Sequence, residues 1–151
     1  MTEKNLTLLD DDNCFACGSG NPVGLRLKFK LDPKNGTAVT ETVIADHFNG
    51  WKGAVHGGII TTLLDEIMVY ACTSSGWFTV TGTIEVKFHK PVPTGKLLVI
   101  TGKIDQNRGR SILTSATLAF EDKVLASAKA VLIPVKYEES SMDIISGRLV
   151  N

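Results

Sequence analysis

The stretch His56-Gly57-Gly58-Ile59-Ile60-Thr61-Thr62-Leu63-Leu64-Asp65-Glu66-Ile67-Met68 places two acids inside an otherwise apolar run that opens on His-Gly-Gly. From Ile59 to Cys72 the strongly polar residues are Thr61, Thr62, Asp65 and Glu66. At about 100° per residue they form one narrow stripe on a helix that is apolar nearly all round. Such a helix is expected to be buried, and an ionised carboxylate is costly to bury without a partner. Asp65 and Glu66 are therefore either paired for structure or kept for chemistry. Glycine lets a ligand approach the backbone closely, and the first amides of a helix have no partner within it. Gly57 or Gly58 can thus offer an N–H to a carbonyl oxygen or a developing oxyanion at the positive end of the helix dipole. Asp65 follows Gly57 by eight residues, roughly 12 Å along a helix axis at 1.5 Å per residue. One small reacting group cannot touch both. The two serve one site only if a second copy of the helix runs antiparallel beside the first, which predicts a two-fold dimer with equivalent centres.

The 151 residues suit one domain, and a 43% hydrophobic content is enough for a core. Lys+Arg and Asp+Glu balance at 16 each, which argues against nucleic acid as the main partner. Basic residues do cluster locally, at Arg26, Lys28 and Lys30, at Lys87 and Lys90, and at Arg108 and Arg110. These are read mainly as solvated faces. The first residues lack a basic segment followed by an apolar run, and no stretch reaches the length of a membrane span. The expectation is a soluble cytoplasmic protein without a membrane partner. Three cysteines, an odd count, favour reduced thiols over a disulfide framework.

Leu25, Leu27 and Phe29 alternate with Arg26, Lys28 and Lys30, the period of a half-buried strand, and Asp32-Pro33-Lys34-Asn35-Gly36 reads as a turn. Residues 37–45, rich in Thr and Val, are expected to pair with that first strand as a hairpin. After the helix, which should end near Ser74-Ser75-Gly76, four strand-like runs follow at 78–90, 96–105, 111–121 and 124–135. Their short connections imply antiparallel neighbours. The order predicts an α+β fold: six antiparallel strands curled around one long helix. Residues 1–13 read as an extension, 14–136 as the domain and 137–151 as a tail whose Ile144, Ile145, Leu149 and Val150 suit docking.

Cys14-Phe15-Ala16-Cys17-Gly18 and Asn21-Pro22-Val23-Gly24-Leu25, followed by Gly53-Ala54-Val55-His56-Gly57-Gly58 and Leu64-Asp65-Glu66, resemble the hot-dog-fold acyl-CoA thioesterases of the phenylacetyl-CoA thioesterase type. The likeness covers roughly residues 14–134. It implies hydrolysis of an acyl-CoA thioester, with coenzyme A as the handle of the substrate and no bound cofactor or metal. It further implies a homodimer assembling into a tetramer. The family's acid stands nine residues after the motif histidine, which here is Asp65. The Gly57 N–H would polarise the carbonyl, and Asp65 of the partner chain would act as general base or as nucleophile. His56 would orient the loop. A Ser or Thr ten residues before a proline helps place water in this family, and counting back from Pro91 gives Thr81, with Thr83 expected on the same strand face. Asn49 resembles the residue that assists the acid. Gly58, Glu66 and Thr83 complete the expected substrate contacts.

Other residues have competing readings. His47-Phe48-Asn49-Gly50 is similar to the His-Phe-Pro-Gly of hot-dog hydroxyacyl dehydratases, but Pro is replaced and the gap to the helix acids is long, so dehydration ranks below a non-catalytic acyl-CoA-binding role. His89 is expected on the surface and Cys72 in the core. Cys14-x-x-Cys17 is half of a zinc site by spacing, completed only if His47 or a partner chain contributes; otherwise it is a turn. Trp51, Trp77 and Phe48 either pack or narrow an acyl pocket.

Overall fold

The computed structural model describes residues 7–139 and 142–150. The remaining residues of the expected extension and tail lie outside the described residues. The elements in order are β1 (Thr7–Leu8), β2 (Lys30–Asp32), β3 (Thr37–Val43), α1 (Gly57–Ser74), β4 (Thr79–Phe88), β5 (Leu97–Asn107), β6 (Ile112–Phe120), β7 (Lys123–Pro134), β8 (Lys136–Tyr137) and α2 (Met142–Ser146).

Helix α1 starts and ends where the sequence places it. Its last turn closes on Gly76, at φ 83°, with Gly76 N donating to Thr73 O and Trp77 N to Cys72 O. A left-handed residue just past the helix is what glycine supplies at least strain. Leu63, Leu64, Ile67 and Met68 on α1 are wholly buried, together with Leu98, Ile100, Ile112, Leu118 and Leu132 of the sheet. The sheet comes so near that a Cβ on Gly102 of β5 would stand 2.7 Å from Ile67 O, so glycine is what lets strand and helix meet.

Six strands form one antiparallel sheet in the order β2-β3-β5-β6-β7-β4. The hairpin between β6 and β7 turns at Glu121 and Asp122, both at positive φ (49° and 64°), the two-residue geometry that matches strand twist. Two expectations are corrected. The connection from β4 to β5 is short, yet the two strands are not neighbours: β4 pairs with β7, and β5 with β3. The linker is used to cross the N-terminus of α1, where Val92 is buried, Val55 N donates to Val92 O, and Gly95 N donates to Ile44 O. The first strand is also shorter and later than its alternation suggests. Leu25 N and Leu27 N donate to Phe15 O and Ala16 O, so this segment pairs with the cysteine turn and only Lys30–Asp32 joins the sheet.

Beyond the sheet, β1 and β8 form a parallel pair, and the tail docks. Ile145 is buried, Leu149 bridges Phe29, and Phe29 stacks on Tyr70 of α1 with ring centroids 3.7 Å apart. None of the described helices is long and apolar enough to cross a membrane.

Candidate functional site

The entry to α1 is built by a loop folded on itself. Asn49 and Val55 form an isolated antiparallel bridge, and His56 N donates to Phe48 O at 3.0 Å. His56 then caps the helix: its backbone is extended (φ −58°, ψ 137°), and its Nδ1 accepts from Gly58 N at 2.8 Å. This assigns the histidine an orienting hydrogen bond and occupies the Gly58 amide. The Gly57 N–H, one residue earlier, has no acceptor among the described residues, and the ring of Phe88 lies beside Gly57, 3.6 Å from where a Cβ would stand. Asn49 contributes through its backbone, donating to Asp46 O, while the residue itself is exposed.

Asp65 lies two turns further along, partly buried. Thr81 Oγ1 on β4 donates to Asp65 Oδ1 at 2.6 Å, the short geometry of a hydroxyl on a charged oxygen. Thr81, named in the sequence as the residue that would help place water, stands instead directly on the acid. The expectation that Thr83 shares its face is not met. A β-bulge at Gly82 shifts the register, so that Thr81 opposes the buried Leu132 while Thr83 opposes Val131. One extra residue reverses the alternation, and Thr83 therefore lines an open groove of about 830 Å³ on the outer face of the sheet with Glu85, Lys103, Asp105 and Lys129. None of Gly57, Asp65 and Thr81 lines that groove.

Glu66 also departs from its expected place. Its carboxylate meets Cys14 and Cys17, the ligand-type atoms of the three lying within 4.8 Å of one another. Burial and then the neighbouring Cys14 push Glu66 up to about 7. A hydrogen bond from Cys17, aided by the amides of Cys17 and Ala16, holds Cys14 down at about 5, and the same interaction with burial raises Cys17. Behind them Arg148 from the tail is buried, its guanidinium reaching Asp10 Oδ2 at 2.6 Å, Asp10 Oδ1 at 2.7 Å, Cys17 Sγ at 3.1 Å and Tyr70 OH at 3.4 Å. Arg148 was not visible in the sequence as a site residue. A lone basic residue in a weakly apolar tail was its only signal.

His47 is exposed, as is His89, whose Nε2 lies 2.9 Å from Ser127 Oγ. The third group at the cysteine pair is Glu66, and His47 is not part of the cluster. Cys72 is in the core, where burial raises its thiol to about 12. Trp51 is 88% exposed, and Phe48 packs edge-on against Phe15.

What α1 and β4 assemble is an amide without an acceptor at a helix start and a carboxylate positioned by a threonine, a combination that can polarise a carbonyl and activate water. Comparison with known proteins gives the fold and the family. Bovine acyl-coenzyme A thioesterase THEM4 is 31% identical over 97 residues, 63% of this chain and 40% of that protein. The chain spans about 40% of the length of these curated relatives. Two solved structures share the fold: the Escherichia coli PaaI protein of the phenylacetic acid degradation operon (TM-score 0.69, 19% identity, 76% of this chain and 84% of that one), and a Streptococcus mutans protein bound to acetyl CoA (TM-score 0.67, 22% identity, 74% and 91%). The helix, the strand that holds its acid and the sheet around them are therefore those of a hot-dog fold, and since residues 52–127 match the model of the thioesterase superfamily, the chain belongs to that superfamily.

Proposed function

We propose that this chain hydrolyses the thioester of an acyl-CoA to a free acid and coenzyme A, as a homodimer. The observation that carries the reading is the Thr81–Asp65 hydrogen bond of 2.6 Å on the same helix as the acceptor-free Gly57 amide. The Gly57 N–H, backed by the helix dipole, polarises the thioester carbonyl. Asp65 of a second copy either takes a proton from water as it attacks or attacks directly; in both cases Thr81 fixes which carboxylate oxygen faces the substrate. His56 keeps the Gly-Gly entry in shape through its cap, and Asn49 shapes the loop before it. Coenzyme A is the leaving group, so no bound cofactor enters.

The second copy is required by distance, since roughly 12 Å of helix separates Gly57 from Asp65 within one chain. The free edge of β4 supports it. That strand is ten residues long and, among the described residues, pairs on one side only and ends the sheet; a long exposed edge is a template for pairing with another chain. Antiparallel pairing of β4 with its copy would set the two α1 helices side by side. A tetramer of two such dimers and a cytoplasmic setting belong to the same proposal.

The test is thiol release from a panel of short, medium, long and aromatic acyl-CoAs, with wild type beside Asp65→Asn. Turnover that is lost in the variant while acyl-CoA binding remains supports the reading; equal turnover in both overturns it. The similarity of the curated relatives, named acyl-coenzyme A thioesterases, supports the choice of substrate class. Binding without turnover in wild type would favour an acyl-CoA-binding role instead.

A further inference from the structure

Helix α1 also delivers Glu66 to a cluster the proposed hydrolysis does not use. Cys14 Sγ, Cys17 Sγ and a Glu66 oxygen converge within 4.8 Å of one another from two segments far apart in the chain. Donors that share a tetrahedral zinc ion, at bonds of ~2.0–2.3 Å, stand roughly 3.5–3.8 Å apart, so the cluster needs little adjustment to close on one ion. The turn is shaped for it. Cys14-x-x-Cys17 is followed by Gly18, whose N–H donates to Cys14 O at 2.8 Å and where any side chain would collide with the Cys14 backbone. Arg148 reaches Cys17 Sγ at 3.1 Å and Tyr70 at 3.4 Å, the kind of outer donor that orients a ligand. A cavity of about 160 Å³ opens among Cys14, Cys17, Glu66, Tyr70 and Arg148, ample for a water, whose share of liquid volume is about 30 Å³. Three acidic groups facing one another repel unless protons or a cation lie between them.

We propose that Cys14, Cys17 and Glu66 bind a divalent cation of thiolate preference, Zn²⁺, with water as the fourth ligand, and that the ion clamps the N-terminal turn to α1. Two thiolates select zinc over magnesium or calcium. Uptake releases the thiol protons, and the Glu66 proton where present, to solvent; nothing is oxidised or reduced. Glu66 completes what the cysteine spacing alone left half made. The site is independent of the thioesterase reading.

The test uses the full chain, reduced and stripped with a chelator, then titrated with Zn²⁺ against a chromogenic competitor and with Co²⁺ as a spectroscopic probe. The expected result is a single equivalent per chain, a Co²⁺ complex with thiolate charge-transfer bands, and protection of Cys14 and Cys17 from alkylation by Zn²⁺. Cys14→Ser and Cys17→Ser should each lower affinity at least about 100-fold, and Glu66→Gln about tenfold or more, by the scale on which loss of a supporting group weakens metal sites. If the serine variants do not fold, alkylation protection in wild type and the isosteric Glu66→Gln carry the test. No stoichiometric uptake, a Co²⁺ spectrum without sulfur bands, unchanged affinity in Glu66→Gln, or a reduced pair that closes to a disulfide in preference to taking metal would each overturn the proposal.

Discussion

Asp65 and Glu66 are adjacent on α1, yet the rotation of about 100° between successive helix positions sends their carboxylates to unlike settings. Asp65 meets one hydroxyl, Thr81 Oγ1, on a strand whose other edge is unpaired among the described residues. Glu66 meets two cysteines beneath a buried arginine, where the N-terminal turn, α1 and the docked tail converge. The first setting is open and has a free amide on the same helix; the second is closed by contacts among distant segments. An acid on a buried helix therefore says that a partner is needed, and the partner's element says what the acid is for: a strand at an open edge suits a reacting group, whereas a knot of chain ends suits a clamp.

The largest separation of the two settings is expected in turnover. Asp65→Asn should lower acyl-CoA hydrolysis roughly 10³-fold, within the range for loss of a positioned acid–base group, while Glu66→Gln changes kcat by less than about threefold, a residual judged against that same scale. Initial rates of thiol release measure both; equal losses would erase the distinction. Next comes Gly57→Pro. Gly57 is the first helical residue, after a His56 whose φ of −58° and ψ of 137° suit the residue before proline. Proline is tolerated at that helix position and removes the N–H. We expect the circular dichroism melt to be nearly unchanged and kcat to drop about 10²–10³-fold, the usual effect of deleting one oxyanion donor.

Much of this frame was legible in the chain. The bounds of α1 follow from apolar spacing and glycine stops, and five of the six sheet strands lie within a few residues of their alternating runs. Asp65 stood out as an acid on an apolar helix, and Thr81 followed from the family resemblance by counting back from Pro91. What was missed depends on partners distant in sequence. Alternation in Leu25, Leu27 and Phe29 reports which side chains are buried but not which backbone accepts their N–H groups; the acceptors proved to be Phe15, Ala16 and Arg148 in turn. Likewise the four polar residues of α1 form one stripe in projection, which hid that Glu66 turns toward Cys14 and Cys17. Arg148 finds Asp10 across 138 positions, and no local pattern encodes such a contact.

That arginine tests whether the closed setting is structural. It is 2% exposed as a side chain, against 15% for Asp10 and 31% for Asp12. Arg148→Ala should cost about 3 kcal/mol in urea unfolding, the low end for breaking a buried pair because the acids left behind retain some water. The same variant should keep the KM for acyl-CoA, since its contacts do not include Asp65 or Thr81. A loss below about 0.5 kcal/mol, the scale of an ordinary surface substitution, would show that the docked tail contributes nothing to the core.

The smallest expected effect probes the open setting through the bulge at Gly82. Thr81 and Thr83 differ by two positions, which in a regular strand would put both hydroxyls on one face. The shift between Thr81 and Thr83 instead directs one toward Asp65 and the other toward the outer groove. Thr81→Ala removes a hydrogen bond to a charged oxygen, worth about 1.5 kcal/mol, so kcat should fall about tenfold, tenfold being about 1.4 kcal/mol at the barrier. Thr81→Ser keeps the hydroxyl and should restore most of the rate. Thr83→Ala should leave kcat within about twofold, since a change that small is under 0.5 kcal/mol and falls among ordinary surface effects. Equal losses at 81 and 83 would mean that the strand runs without its bulge in the working protein and presents both hydroxyls to the acid.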